Sequence, residues 1–149
     1  MQSSELIEGF CRKTGIPSEM YENGTLSFQI ENREMAIHAL PEVNSVVLIG
    51  SLGQSAPGNC AELYRRMLRD EHLFSKTDGA FFSIHPETGR IAVSRSVSCT
   101  SITVDQFTEL AEKFVETMGR WAEIVRDFQP RAGQPEEPVQ DAGFHTLRV

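Results

Sequence analysis

The chain has 149 residues, 40% of them apolar and 23% charged, which predicts one globular domain that buries a core without disulfide staples. Lys and Arg number 14 against 21 Asp and Glu, a formal net charge of −7 with a pI near 5.1. That sign excludes a nucleic-acid footprint and disfavours adsorption to anionic lipid.

No stretch approaches the run of about 18 apolar residues that a membrane span needs. The opening Met1-Gln-Ser-Ser-Glu has neither a basic nor an apolar signal region, so no secretory leader is expected. Cys11, Cys60 and Cys99 are odd in number and far apart. They predict free, mostly buried thiols in a reducing cytoplasm.

In chain order, Ser4 to Thr14 reads as a helix with Leu6, Ile7, Phe10 and Cys11 on one face. Ser3 or Ser4 is its expected cap, and Gly15 with Ile16-Pro17 ends it. Thr25 to Glu31 alternates, Leu26, Phe28 and Ile30 opposing Ser27 and Gln29, as a half-buried strand does. Glu34 to Leu40 follows as a second strand, with Met35, Ile37 and Ala39 on one face. Val43 to Leu52 contains the unbroken run Val46 to Ile49, which predicts a strand covered on both sides.

After the Gly50–Gly58 loop, Asn59 to His72 reads as a helix. Asn59 and Glu62 have capping-box spacing, and Leu63, Tyr64, Met67 and Leu68 form a stripe. Ala80 to His85 and Arg90 to Ser98 form a hairpin across Pro86–Gly89. Thr103 with Gln106 caps a long amphipathic helix from Phe107 to Phe128 with an acidic outer face. From Gln129 the prolines at 130, 135 and 138 forbid a helix, so residues 129–149 are expected to be a mobile tail behind a single domain at 1–128. The order α-β-β-β-α-β-β-α predicts an α+β fold, a mostly antiparallel twisted sheet with helices packed on it.

The chemistry-bearing motifs are incomplete. Gly53 to Cys60 has the glycine spacing of a phosphate loop, but Asn59 and Cys60 replace the Lys and the hydroxyl that hold phosphate and Mg²⁺. A flexible connector is the simpler reading. His38, His72, His85 and His145 each have an ordinary structural place, and none is paired at metal-ligand spacing. No nucleophile elbow is present. The residues therefore predict no catalytic site, no metal and no cofactor. The small sheet with apolar residues on both faces predicts a dimerising binding module instead.

The stretch Leu63 to Val97 carries a resemblance. It reads Leu-Tyr-Arg-Arg-Met-Leu-Arg-Asp-Glu-His-Leu-Phe, then Gly79-Ala-Phe-Phe-Ser-Ile-His-Pro-Glu-Thr-Gly-Arg-Ile-Ala-Val. With the element order over residues 3–128, it resembles the class I type III secretion chaperones of the Tir chaperone (CesT) family. Gly79, Gly89, Ile91 and Val93 fit the family's hairpin, whereas the Asn usual near the end of the preceding helix is missing.

The resemblance implies a cytoplasmic bacterial homodimer that is not an enzyme. Such a protein holds the N-terminal region of a secreted effector in extended form, soluble and ready for the secretion apparatus. It also implies an effector surface at Leu6, Phe10, Leu26, Phe28, Ile30 and Ile37, and a dimer interface at Leu63, Tyr64, Met67, Leu68 and Phe81. Two alternatives stay open at this point. One is a binding module of the same fold that sequesters a transcriptional control factor; the other is a small nucleotide-binding enzyme using the Gly50–Gly58 loop.

Overall fold

The computed structural model describes residues 1–130. It contains three helices, α1 (Ser3–Thr14), α2 (Ala61–Glu71) and α3 (Val104–Asp127). The strands are β1 (Tyr21–Glu22), β2 (Thr25–Ile30), β3 (Arg33–Leu40), β4 (Ser45–Gln54), β5 (Phe81–Ile84) and β6 (Arg90–Ser98). All six form one sheet in the order β1-β2-β3-β4-β6-β5, antiparallel at every step. The expected α+β class and antiparallel sheet are observed. The expected tail lies, apart from its first two residues, outside the described residues.

Strand β1 is an addition to the expected order, and its cause is local. Asn23 and Gly24 have φ of 53° and 78°, and this two-residue turn pairs Glu22 with Thr25. Positive φ at both central residues matches the right-handed twist of a hairpin, which is why Asn-Gly favours one. Glu31 and Asn32, at 52° and 64°, repeat the geometry between β2 and β3.

Two helix starts differ from expectation. In α1 both serines lie inside the helix, and the Gln2 N–H donates to the Glu5 carboxylate at 3.1 Å. In α2 the cap is Cys60, so the Asn59–Glu62 box does not form; Asn59 Oδ1 instead accepts from the Ala61 N–H at 3.0 Å. The box at α3 forms as expected: the Gln106 N–H donates to Thr103 Oγ1 at 3.1 Å, and the Thr103 N–H to Gln106 Oε1 at 3.0 Å.

One face of the sheet carries the core. Leu26, Ile37 and Leu48 are paired in register across β2, β3 and β4, and all are inaccessible to solvent. Phe28, Met35, Gly50 and Val93 form the next row. At Gly50 helix α3 lies so close that a Cβ would overlap the Met118 side chain. Phe107, Phe114, Met118 and Trp121 of α3 are buried against these rows. Each such side chain contributes about 1.5–3 kcal/mol by leaving water.

The opposite face corrects an expectation. Val46 and Leu48 point into the core, but Val47 and Ile49 are only half-buried. They stand with Ala36 and Ala92 on a face that is a shallow concavity of about 1060 Å³, lined also by Ser27 and Ser51. The run Val46 to Ile49 is therefore covered on one side within the protomer, not on two.

Candidate functional site

Two surfaces at opposite edges of the sheet stand out, and the first is built on β2. Strand β1 pairs only with Thr25 and Leu26, so among the described residues the outer edge of β2 beyond Leu26 has no partner strand. The Ala39 N–H donates to the Gly24 carbonyl at 2.7 Å, which sets the alternation of the β2–β3 ladder. Antiparallel partners alternate, so Leu26, Phe28 and Ile30 bond toward β3, while Thr25, Ser27 and Gln29 carry their N–H and C=O outward. Thr25 meets Glu22 of β1. Ser27 and Gln29 present an open strand edge.

Beside that edge lies a groove of about 480 Å³ between the end of α1, the end of β2 and the middle of α3. Its floor is aromatic. Phe10 meets Phe28 at 6.4 Å between ring centroids and Phe107 edge-on at 5.4 Å. Ile16, Ile30 and Val115 are half-buried walls, and Glu31, Glu112 and Glu116 form the rim.

The structure sorts the expected effector residues. Leu6, Leu26 and Ile37 are 0% exposed, so their side chains are core and offer nothing to a partner. Phe10 and Phe28 are buried but line the groove, and Ile30 is half-exposed on its wall. Ile16 and Val115 were missing from the expected set. The turn after α1 and the acidic register of α3 hid them, although Val115 lies one step along the helix from the core residue Phe114.

The second surface surrounds α2 and β5. Leu63 and Met67 are buried in the protomer's own core, which corrects their placement at an interface. Tyr64 is half-buried, its hydroxyl 3.1 Å from that of Ser55. Leu68 and Phe81 are exposed, as are Leu73 and Phe74 in the 3-10 turn that follows α2 and Ile84 on β5. Leu73 is 84% exposed and has φ of 52°; Phe74 has 55°. Apolar residues held in left-handed backbone and turned to water carry two costs at once, strain and exposure. Beneath them Trp121 packs edge-on against Phe82 at 4.7 Å, and the Arg66 guanidinium lies 5.9 Å from the Trp121 ring.

Two of the histidines have structural partners. His38 Nδ1 is 2.7 Å from Thr25 Oγ1, and His85 Nδ1 accepts from the Glu87 and Thr88 N–H groups of its own turn at 3.2 Å each. His145 lies outside the described residues. The three cysteines are buried and free. Burial pushes the Cys11 and Cys99 thiols up from their ordinary value, and Glu8 adds to the effect at Cys11. The described residues hold no cluster of His, Cys, Asp or Glu suited to a metal ion, and no helix long and apolar enough to cross a membrane.

The profile of the Tir chaperone protein (CesT) family matches residues 5–122. No curated protein matches the chain. Among solved structures, a chain of the heterodimeric ExoU–SpcU complex from the type III secretion system of Pseudomonas aeruginosa is similar at TM-score 0.65 and 16% identity, over 82% of this chain and 99% of that one. A chain of the HopA1–SchA chaperone–effector complex gives 0.64 and 16%, over 84% and 93%. A chain of the complex between the Yersinia pestis type III secretion chaperone SycH and a fragment of YscM2 gives 0.62 and 15%, over 80% and 99%. At these identities the likeness shows the fold. The family match runs from α1 deep into α3, and on it this chain is a member of the Tir chaperone protein (CesT) family.

Proposed function

We propose that the protein is a type III secretion chaperone that binds the N-terminal region of a cognate effector as an extended segment. Membership of the family supports the class of function, and structural relatives solved with effectors support the kind of partner. The observation that carries the binding mode is the unpaired outer edge of β2 beside an apolar groove. An added strand would satisfy the backbone groups of Ser27 and Gln29 and lay alternate side chains over Phe10, Phe28 and Ile30. Ordering such a segment is costly, so many contacts along a wrapped surface are needed.

The chaperone works in the bacterial cytoplasm, holding its partner soluble for delivery to the secretion apparatus, and performs no catalysis of its own. It pairs as a homodimer through Tyr64, Leu68 and Phe81 with the neighbouring Leu73 and Phe74. That pairing would remove the exposed apolar groups of α2 and β5 from water. Co-expression with a candidate secreted effector from the same host tests the whole reading. The two chains should co-purify without nucleotide, and an effector segment should become protease-resistant while staying non-globular. A partner bound only as a folded domain, or only with ATP, would overturn it.

A further inference from the structure

The groove beside β2 has an uneven electrostatic character. Its floor is apolar, its rim is acidic, and among the described residues no Lys or Arg lines it. Glu31 faces Arg33 at 3.6 Å. Glu112 and Glu116 are exposed, one helical turn apart on α3, and neither joins an ion pair among the described residues. Like charges at that spacing repel each other. Lys13, near the same end of α1, is bound to Asp105.

Resting on the proposed chaperone reading, we infer that the groove selects an extended segment in which an aliphatic side chain is flanked by lysine or arginine. The aliphatic group enters between Ile30 and Val115 onto the Phe10–Phe28 floor. The neighbouring side chains of an added strand point to the other face, but the next on the same face lies about 6.6–7 Å along it. A long basic side chain at that position reaches the Glu112–Glu116 rim while its methylene stem stays on apolar surface. A cation there relieves the repulsion between the two carboxylates. An acidic side chain in the same place adds a third negative charge on a chain already at −7.

The test uses the full chain and three fluorescein-labelled peptides of equal length, read by anisotropy. They repeat Leu-Ser-Lys-Ser (Leu–Lys), Leu-Ser-Glu-Ser (Leu–Glu) and Ser-Ser-Lys-Ser (Ser–Lys), so that the charged residue stands two positions from Leu on the same face of an added strand. The Leu–Lys peptide should bind tightest, the other two at least about tenfold more weakly. Glu112→Gln with Glu116→Gln should weaken Leu–Lys binding about three- to tenfold and reduce its salt dependence. Glu123→Gln with Asp127→Asn removes the same charge at the far end of α3 and should leave binding unchanged. Equal losses from both pairs would assign the effect to net charge and overturn the inference. So would Leu–Glu binding as tightly as Leu–Lys, with the groove itself surviving as the effector site. If Ile30→Asp and Val115→Asp left every peptide unaffected, both the inference and the proposed site would fall. A halved molar mass for Val115→Asp would give the groove to a second copy. A tenfold gain in Leu–Lys affinity for Phe144→Asp with Leu147→Asp would give it to the chain's own C-terminal segment. Either result overturns the inference.

Discussion

The two edges of the sheet are exposed in opposite ways. At β2 the exposed groups are backbone: Ser27 and Gln29 carry amides and carbonyls that no strand among the described residues pairs, while the apolar side chains beside them are sunk in a groove. At β5 the backbone of the edge is short and the exposed groups are side chains: Leu68, Leu73, Phe74, Phe81 and Ile84. An open backbone edge suits an extended partner, which supplies the missing ladder and drops alternate side chains into pockets. A set of protruding apolar side chains on helix, turn and strand suits another folded surface, such as a second copy. One small domain thus offers one edge for an unfolded chain and one for a folded one.

That contrast can be broken from either side. The largest effect is expected for Trp121→Ala, which removes the ring beneath Phe82 and Arg66. It should cost about 3–5 kcal/mol in denaturant unfolding, because a buried indole leaves a cavity that α2 and β5 cannot close. Ile30→Asp should weaken partner binding by more than about tenfold while the molar mass by light scattering stays that of the dimer. Leu68→Asp with Leu73→Asp should do the reverse. The mass should fall from about twice 16.7 kDa to a single chain, with the far-UV spectrum of the folded protomer retained, since both side chains are exposed in the protomer. A retained dimer would remove α2 from the interface. Gln29→Pro is the finest of these changes. Its N–H points away from β3, so the edge strand should tolerate proline, while an added strand loses one hydrogen bond, about 0.5–1.5 kcal/mol of affinity.

How much of this was legible in the sequence depended on how local the signal was. Helix α3 follows from its capping box and its three-and-four stripe, both of which act within a few residues. The hairpin turn at Asn23-Gly24 was equally local, and the pair is a strong signal, yet two residues of strand before it are too few to show alternation. Leu63, Tyr64, Met67 and Leu68 do share a helical stripe, but only packing decides that Leu63 and Met67 face the core and Leu68 faces water. The run Val46 to Ile49 shows the same boundary. An apolar pair such as Val47 and Ile49 reads alike whether a helix covers it or nothing within the protomer does. The groove was half legible: Phe10, Phe28 and Ile30 belong to regular patterns, whereas Ile16 sits in a turn, and Val115 and the Glu112–Glu116 rim have meaning only once α3 lies beside β2.

The most direct measurement is amide hydrogen exchange, residue by residue, with and without the N-terminal segment of the effector. Strand addition at β2 requires the Ser27 and Gln29 amides to pass from fast exchange to protection on binding, with Thr25 little changed because its amide already meets Glu22. If Ser27 and Gln29 still exchanged freely in the complex while amides of α2 and β5 became protected, the effector would lie on the other edge, and the assignment of the two edges would be wrong.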